Sequence, residues 1–509
     1  MEKKYVSYEE FGAIGDGVTD DFDAIKRAHE YANENGLDVK ANDEKTYYIG
    51  DIGDQGTVKI MTNVDWGKAN FIIDDSAITS DMPSRSATIF TVCPEHPSMS
   101  YTPDGDDAVS EKLREINKNG GFTADVKKLD LGIGYQAMLV VVNENHKNYI
   151  RYGANKNSGS SQTEIVIIDS EGNIDPTTPF LLDYKEVTKL GVYRIDDAPL
   201  TLNGGIFTTI ANQAKEDYRY YGRNIKIARS NTTVTNFTHK IVGEGEHGDP
   251  YSAFLSSSYA CNILIKDSFL QAHKYYMCVG AGGGAPVGMG TYDIGASYGS
   301  NIVWKNCIET NFFDENGNRR YGTWGIMGSS YTKNIAYEDC VLSRFDAHAG
   351  VYNARIINSH VVHFRIIGGG TLHLENSTIY NNLLISIRED YGATWNGDIV
   401  IKDVTMVNSG DVTLVSASWV NHDFGYKCYL ANNITLDNLK LKNPATVYLF
   451  SAPFLKKGDV SGETYNGEPN LNPYQPPKKV TIKNNSYGYN FIGPEDSIFF
   501  KDTLIVEEK

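Results

Sequence analysis

Between Asn224 and Asn443 one short pattern returns with apolar residues in fixed places, and nothing else in the chain limits its fold as strongly. Asn224-Ile-Lys-Ile-Ala-Arg-Ser230, Asn262-Ile-Leu-Ile-Lys-Asp-Ser268, Asn301-Ile-Val-Trp-Lys-Asn-Cys307 and Asn334-Ile-Ala-Tyr-Glu-Asp-Cys340 each set an Asn before an alternating run, then a polar and a small residue. Residues 353–359, 371–377, 398–404 and 433–439 keep the alternation. A period of two belongs to a strand, whose side chains point to opposite faces in turn. Successive copies begin about 18 to 39 residues apart, the spacing of a solenoid whose turns carry loops of unequal length.

In such a coil each turn stacks on the last at about 4.8 Å, so equal positions in the repeat become vertical neighbours. Ser230, Ser268, Cys307, Cys340, Ser359 and Ser377 are therefore expected to form a column of small residues, and Asp267, Asn306, Asp339, Asn358 and Asn376 a polar ladder at a turn. Such columns close turns and fill cores, so they belong to the fold rather than to chemistry.

Ahead of the repeats stands Phe11-Gly-Ala-Ile-Gly-Asp-Gly-Val-Thr-Asp-Asp-Phe-Asp-Ala-Ile25. Its glycines allow a tight turn, Thr19 or Asp20 would cap a following helix, and Ile25, Ala28 and Ala32 give that helix an apolar stripe up to Asn35-Gly36. A helix there, from about Asp20 to Glu34, would cover the bare end of the coil. The string resembles the opening of the pectate-lyase superfamily of right-handed parallel β-helices, which includes polygalacturonase-like glycosidases and phage tailspikes. Where members continue with Pro-Gly-Thr-Tyr, this chain keeps Thr46-Tyr47 and lacks the Pro-Gly.

The repeat is absent from about Arg85 to Leu200, where strand-like runs at 136–143, 164–169 and 192–195 alternate with turns. The chain thus divides into an N-terminal cap and first turns (1–84), an antiparallel β insertion (85–200) and the main coil with closing strands (201–509). The insertion would act as a packing module, a lid, a wall of the cleft or a contact in a homo-oligomer. Residues 456–479, rich in Gly, Pro, Asn and Asp, read as a loop, followed by two last strands near 480–484 and 497–506.

A formal charge of -17 argues against nucleic acid, whose phosphates demand a basic face. The 33 tyrosines suit strands and, where exposed, sugar rings. No run is long and apolar enough to cross a membrane, and no apolar leader follows Met1. The six cysteines lack metal spacing. Together these predict reduced thiols and a cytoplasmic protein, or a virion-associated one if the chain is phage-encoded.

Polar residues recur before the strand that leads into each repeat: His247-Gly-Asp249, Tyr292-Asp293, Asp314 with Arg319 and Arg320, and Asp346-Ala-His348, with His363 and Arg365 a turn later and Arg388-Glu-Asp390 beyond. Stacking gathers them, and carboxylates one or two turns apart fall in the range glycosidases use, one protonating the leaving oxygen and one activating water. Gly322-Thr-Trp-Gly-Ile-Met-Gly-Ser-Ser330 followed by Phe345-Asp-Ala-His-Ala-Gly350 is similar to the polygalacturonase succession of glycine-rich strand and polar turn. The family's consecutive Asp-Asp and its Gly-His-Gly are missing, with Thr323-Trp324 where the His would fall. By position the resemblance carries a catalytic carboxylate onto Asp346 and a supporting His onto His348.

The candidate catalytic residues are therefore Asp346, His348, Asp314, Asp293 and Asp249. Substrate binding is assigned to His247, Arg319, Arg320, Arg344, His363 and Arg365, with Trp324 and Tyr352 as stacking platforms. Gly280-Ala-Gly-Gly-Gly-Ala285 has no following Gly-Lys-Ser/Thr and reads as a loop beside the cleft rather than a phosphate cradle. No dense acidic string demands calcium, and no metal or cofactor is assigned. The leading expectation is a glycoside hydrolase acting on an oligo- or polysaccharide, the second a polysaccharide lyase acting on a uronate-containing glycan, the third a non-catalytic glycan-binding, tailspike-like protein.

Overall fold

The computed structural model describes residues 4–151, 158–214, 219–245, 248–271, 275–279, 286–310, 325–388, 394–417, 424–451, 474–486, 488–492, 500 and 502–508. The repeats build a right-handed parallel β-helix, all of whose strand pairings between turns are parallel among the described residues. One inward column shows how alternation becomes a core: Val234, Ile265, Trp304, Tyr337, Ile356, Leu374, Ile401, Leu436 and Ile482 are successive register partners from turn to turn. All of them are buried.

The corners are held by side-chain amides. Asn231, Asn262, Asn301, Asn334 and Asn353 all take left-handed backbone, φ 54° to 63°, which Asn tolerates better than other residues with a side chain. From Asn262 onward each Nδ2 donates to the Oδ1 of the Asn one turn earlier, at 3.0, 3.2, 3.0 and 3.0 Å, while Asn231 Nδ2 donates to the Asp196 carbonyl at 2.7 Å. Asp267, Asn306, Asp339, Asn358 and Asn376 are left-handed at the next corner, with Asn306 donating to Asp267 at 2.8 Å and Asn358 to Asp339 at 3.2 Å.

Ser268 and Cys307 are register partners. The Cys340 N–H donates to the Ser359 hydroxyl and the Ser359 N–H to that of Ser377, each at 3.1 Å. The described cysteines are free thiols. Ser230 does not join this column. Its hydroxyl accepts from the Cys261 N–H at 3.1 Å, and Ile225 of its copy pairs with Phe90 and Leu255, on another face of the coil. Two strands of one turn carry the same pattern, so the repeat motif alone did not say on which face the first copy lies.

The capping helix runs Phe22–Asn35 and buries Phe22, Ala24, Ile25, Ala28, His29 and Ala32. It starts after the residues proposed as its cap, because the acidic string before it serves the backbone of its own turn. Asp16 accepts from the N–H groups of Val18 and Thr19 at 2.9 and 2.7 Å, and Asp20 from Phe22 at 2.9 Å. The buried Asp21 accepts from Ile14 at 2.7 Å and from Tyr48 at 3.3 Å, tying turn, helix and first coil strand together.

Met99–Tyr101, Ala137–Asn148, Ser160–Ile168 and Lys189–Arg194 form an antiparallel sheet. With the helix Ala108–Lys118, which the strand reading of this segment missed, they enclose a core of their own. The module docks on the coil through a fully buried pair, Lys333 Nζ to Glu164 Oε1 at 2.6 Å, and through a row of tyrosines, Tyr193, Tyr259, Tyr298 and Tyr331, stacked at centroid spacings of 5.0 and 4.8 Å and tilted at 5.3 Å in the last pair. The last coil strands are Lys479–Lys483 and Leu504–Glu508. Residues 280–285, and 456–473 of the expected loop, lie outside the described residues.

Because Asn301 combines left-handed backbone with two ladder bonds, Asn301→Ala is expected to lower unfolding free energy by about 2–4 kcal/mol. Asn301→Gly, which relieves the backbone cost but not the lost bonds, should lower it less. Urea midpoints of the two variants check the order.

Candidate functional site

The strands Val341–Asp346, His360–Ile366 and Leu383–Ile387 stack on one face of the coil. Register sets Arg344 beside His363, Asp346 beside Arg365, and Arg365 beside Ser386. Arg388 follows the third strand and reaches back to Asp346. Three arginines and two histidines thus gather around one carboxylate.

Asp346 is wholly buried and lies beneath the arginines. Its Oδ2 is bonded by Arg344, and its Oδ1 accepts from Arg388 at 2.6 Å, with the two arginine side chains 11% and 5% exposed. The carboxylate therefore does not face an open cleft. It anchors two guanidinium groups.

The imidazoles are oriented by donors. The Arg388 N–H points at His348 Nδ1 across 3.3 Å, and arginine only donates, so Nδ1 accepts and the ring proton sits on Nε2. Asn381 donates through Nδ2 to the Val362 carbonyl at 3.1 Å and accepts from Leu383 N–H at 3.3 Å, which fixes its amide. The same Nδ2 lies 3.1 Å from His363 Nδ1, giving His363 the same tautomer. Register and these bonds thus bring three guanidiniums and two imidazoles together around the buried Asp346.

The remaining candidates lie elsewhere. Asp249 is buried in an earlier turn, its backbone clamped by Asn212 through bonds of 2.9 Å in both directions. Tyr352 is buried, its hydroxyl 3.1 Å from that of Tyr149 of the module, so its ring packs in the core instead of offering a stacking face. His247, Asp314, Arg319, Arg320 and Trp324 lie outside the described residues.

Asp293 points into the coil. Its Oδ1 is 3.8 Å from His239 Nδ1; the His239 ring stacks on Phe254 with centroids 3.6 Å apart, and its Nε2 meets the Thr209 hydroxyl at 3.1 Å. Phe207, His239, Leu270 and Glu309 are successive register partners of one inward column, so Glu309 occupies a core position. Glu309 accepts from the Ser343 N–H at 2.7 Å. Burial first, and the neighbouring Asp293 charge second, push its carboxyl well above the ordinary range. Sequence reasoning noted Arg388 among the recurring polar residues without giving it a role, and passed over Glu309, which was findable, since aligning Cys307 with Ser268 sets it against Leu270.

The spacing of Glu95, His96 and Asp196 would suit a cation, but Arg229 already pairs with Glu95 at 2.9 Å and Asp196 at 3.4 Å.

Fold and strip together define a right-handed parallel β-helix with a docked antiparallel module and an arginine–histidine cluster built around one buried carboxylate. No family model and no curated protein matches the sequence. Solved structures do resemble it. The tailspike of Acinetobacter baumannii bacteriophage AP22, in complex with a capsular saccharide, is 10% identical with a TM-score of 0.42, over 99% of this chain and 79% of that one. A surface adhesin of Streptococcus pneumoniae is 11% identical with a TM-score of 0.38, over 87% and 92% of the two chains. An exopolygalacturonase from Thermotoga maritima is 9% identical with a TM-score of 0.34, over 95% and 87%. Likeness at this level concerns the fold.

Two predictions test this geometry. Asp346→Asn removes the charge shared by two buried arginines and should cost about 3–5 kcal/mol, read as a lowered denaturation midpoint; a variant as stable as the parent would place Asp346 in solvent. For Glu309 the folded carboxyl holds its proton at pH values where the unfolded one has lost it. Stability should therefore be greatest below the unfolded pKa of about 4.3 and fall as pH rises towards the folded value. Glu309→Gln keeps the shape without the charge, so it should be the more stable chain at neutral pH, with the gap closing near pH 4. Urea midpoints between pH 4 and 8 check this.

Proposed function

We propose that this protein is a carbohydrate-active enzyme that holds an acidic oligo- or polysaccharide on the strip of Arg344, Arg365, Arg388, His348 and His363 and cleaves a glycosidic bond beside it. The observation that carries this reading is the gathering of Arg344, Arg365, Arg388, His348 and His363 on neighbouring strands around Asp346. Guanidinium groups pair with carboxylates through parallel charge-assisted bonds, so a uronate matches such a surface and a neutral polyol does not. The strip lies on a chain of formal charge -17, and local cations rather than net charge steer an anionic ligand at short range.

Cations on a sugar carboxylate stabilise the negative charge that develops when an Arg or His of the strip takes the proton from the neighbouring carbon; as that charge forms the C=C bond the glycosidic C–O bond breaks and the leaving oxygen takes up a proton, which favours β-elimination as the reaction. Hydrolysis is the second reading. It calls for two carboxylates about 5–10 Å apart, and it is supported by Asp346 at the position where the resemblance sets a catalytic acid, with Asp314 as the candidate partner. In the elimination reading Asp346 instead positions Arg344 and Arg388.

The test is to incubate the protein with polygalacturonate, alginate and a neutral β-glucan, and to measure ultraviolet absorbance from unsaturated uronates beside new reducing ends. Absorbance with an acidic polymer is the expected result; reducing ends alone select hydrolysis, and binding without either product selects an adhesin-like role. Arg365→Ala is predicted to weaken binding of the acidic polymer about tenfold or more and to lower its salt dependence. Binding of the acidic polymer that is unmoved both by salt and by Arg365→Ala would overturn the acidic-glycan reading.

A further inference from the structure

The module and the coil leave a second concavity between them, built on other strands than the arginine strip. Its coil side is formed by the strands that begin at Ala349, Gly368 and Trp395, and its module side by Ala137–Asn148 and Ser160–Ile168. The volume is about 520 Å³, inside the range of roughly 300–1,000 Å³ typical of small-ligand sites.

Two amides single this cleft out. Asn143 and Gln162 stand directly opposite each other on the two module strands, a placement that sets their Cβ atoms about 5 Å apart. Both line the cleft, and they are only 4% and 5% exposed. Asn143 Oδ1 accepts from the Asn145 N–H at 3.1 Å, and Gln162 Nε2 donates to the Asp183 carbonyl at 2.8 Å. Those bonds fix which end of each amide is which. Asn143 Nδ2 and Gln162 Oε1 take no part in these bonds, and as both residues line the cleft they offer it one donor and one acceptor.

Polar ends on a cleft wall hold water that a ligand group can replace when it reproduces the same hydrogen bonds. The ligand class follows from the pairing. A carboxylate or sulfate would want two donors, whereas neighbouring hydroxyls on a sugar ring both give and take a hydrogen bond, so a donor beside an acceptor fits a diol. Charge points the same way, since Asp183 and Glu186 on the lining are balanced by Lys185 and Lys427. Tyr426 and Tyr429, both partly buried, supply aromatic wall for the C–H face of a sugar.

We propose that this cleft is a binding site for a neutral oligosaccharide, with Asn143 and Gln162 reading two adjacent hydroxyls. It stands on its own geometry and does not depend on the reaction assigned to the arginine strip. A chain using both surfaces would hold an acidic part of a glycan on the coil and a neutral part under the module.

Isothermal titration of the full chain with neutral gluco-, xylo- and manno-oligosaccharides, beside an oligogalacturonate, tests it. At least one neutral series should bind, and Gln162→Met, which keeps the length of the side chain but removes the acceptor, should weaken that binding about tenfold or more without lowering the thermal midpoint. Tyr429→Ala, at a partly exposed position, should weaken it as well and decides the matter if Gln162→Met fails to fold. Arg365→Ala should leave neutral binding unchanged while reducing that of the acidic oligomer. The proposal fails if no neutral series binds at millimolar concentration, if binding survives the substitutions that fold, or if oligogalacturonate displaces the neutral ligand.

Discussion

Everything in this molecule hangs on the stacking of one turn on the next, and the amide ladder is where that stacking is most demanding. A coil must bend sharply at each corner, in left-handed backbone that most residues adopt only at a cost. Asn231, Asn262, Asn301, Asn334 and Asn353 meet the demand twice over, by tolerating the conformation and by tying each corner to its neighbour. Once corners are locked, strand register is locked, and a slip of one residue would turn every inward side chain out. The column from Val234 to Ile482 is the result.

The same register makes the outer face a place where charge concentrates. Residues far apart in the chain, Arg344, His363 and Arg365, become neighbours because their strands are. Like charges at that spacing repel, and the buried Asp346 offsets the repulsion by bonding two guanidiniums from below. An arginine cluster organised around a buried carboxylate is stiff, and stiffness is what a surface needs to discriminate a sugar acid from water and salt. Inside the coil the logic is reversed. Asp293 and Glu309 share a dry space with His239, and burial drives Glu309 towards its neutral form instead of into an ion pair.

The module adds what the coil lacks, a concave wall. Its seat is the Lys333–Glu164 pair, whose two side chains are both wholly buried. Such a pair adds little net stability compared with apolar packing, but removing one partner is expensive, so it resists displacement. Glu164 also accepts the N–H groups of Leu181 and Leu182 at 2.8 and 3.0 Å, and both leucines line the cleft. The contact that docks the module therefore shapes the floor of the second site.

Local pattern in the sequence determined the coil itself. Alternation marked the strands, the returning Asn marked the corners, and the acidic turn before Phe22 marked the cap, because each is a constraint between residues close in the chain. What the sequence left undecided is everything that depends on which turn lies against which. It misplaced Ser230, whose copy of the motif sits on another face. It set Asp293 on the outside and missed Glu309 within, since a strand pattern does not show which corner turns a polar side chain inward. It assigned Asp346 as a reacting carboxylate, and the buried position beneath Arg344 and Arg388 became visible only when residues 42 apart were brought to 2.6 Å. Asn143 and Gln162 pair within the module's own sheet, but the cleft they open on exists only because module and coil pack against each other. Periodicity is a property of the chain, but burial and partnership are properties of the space between turns, and that space is defined by tertiary packing alone.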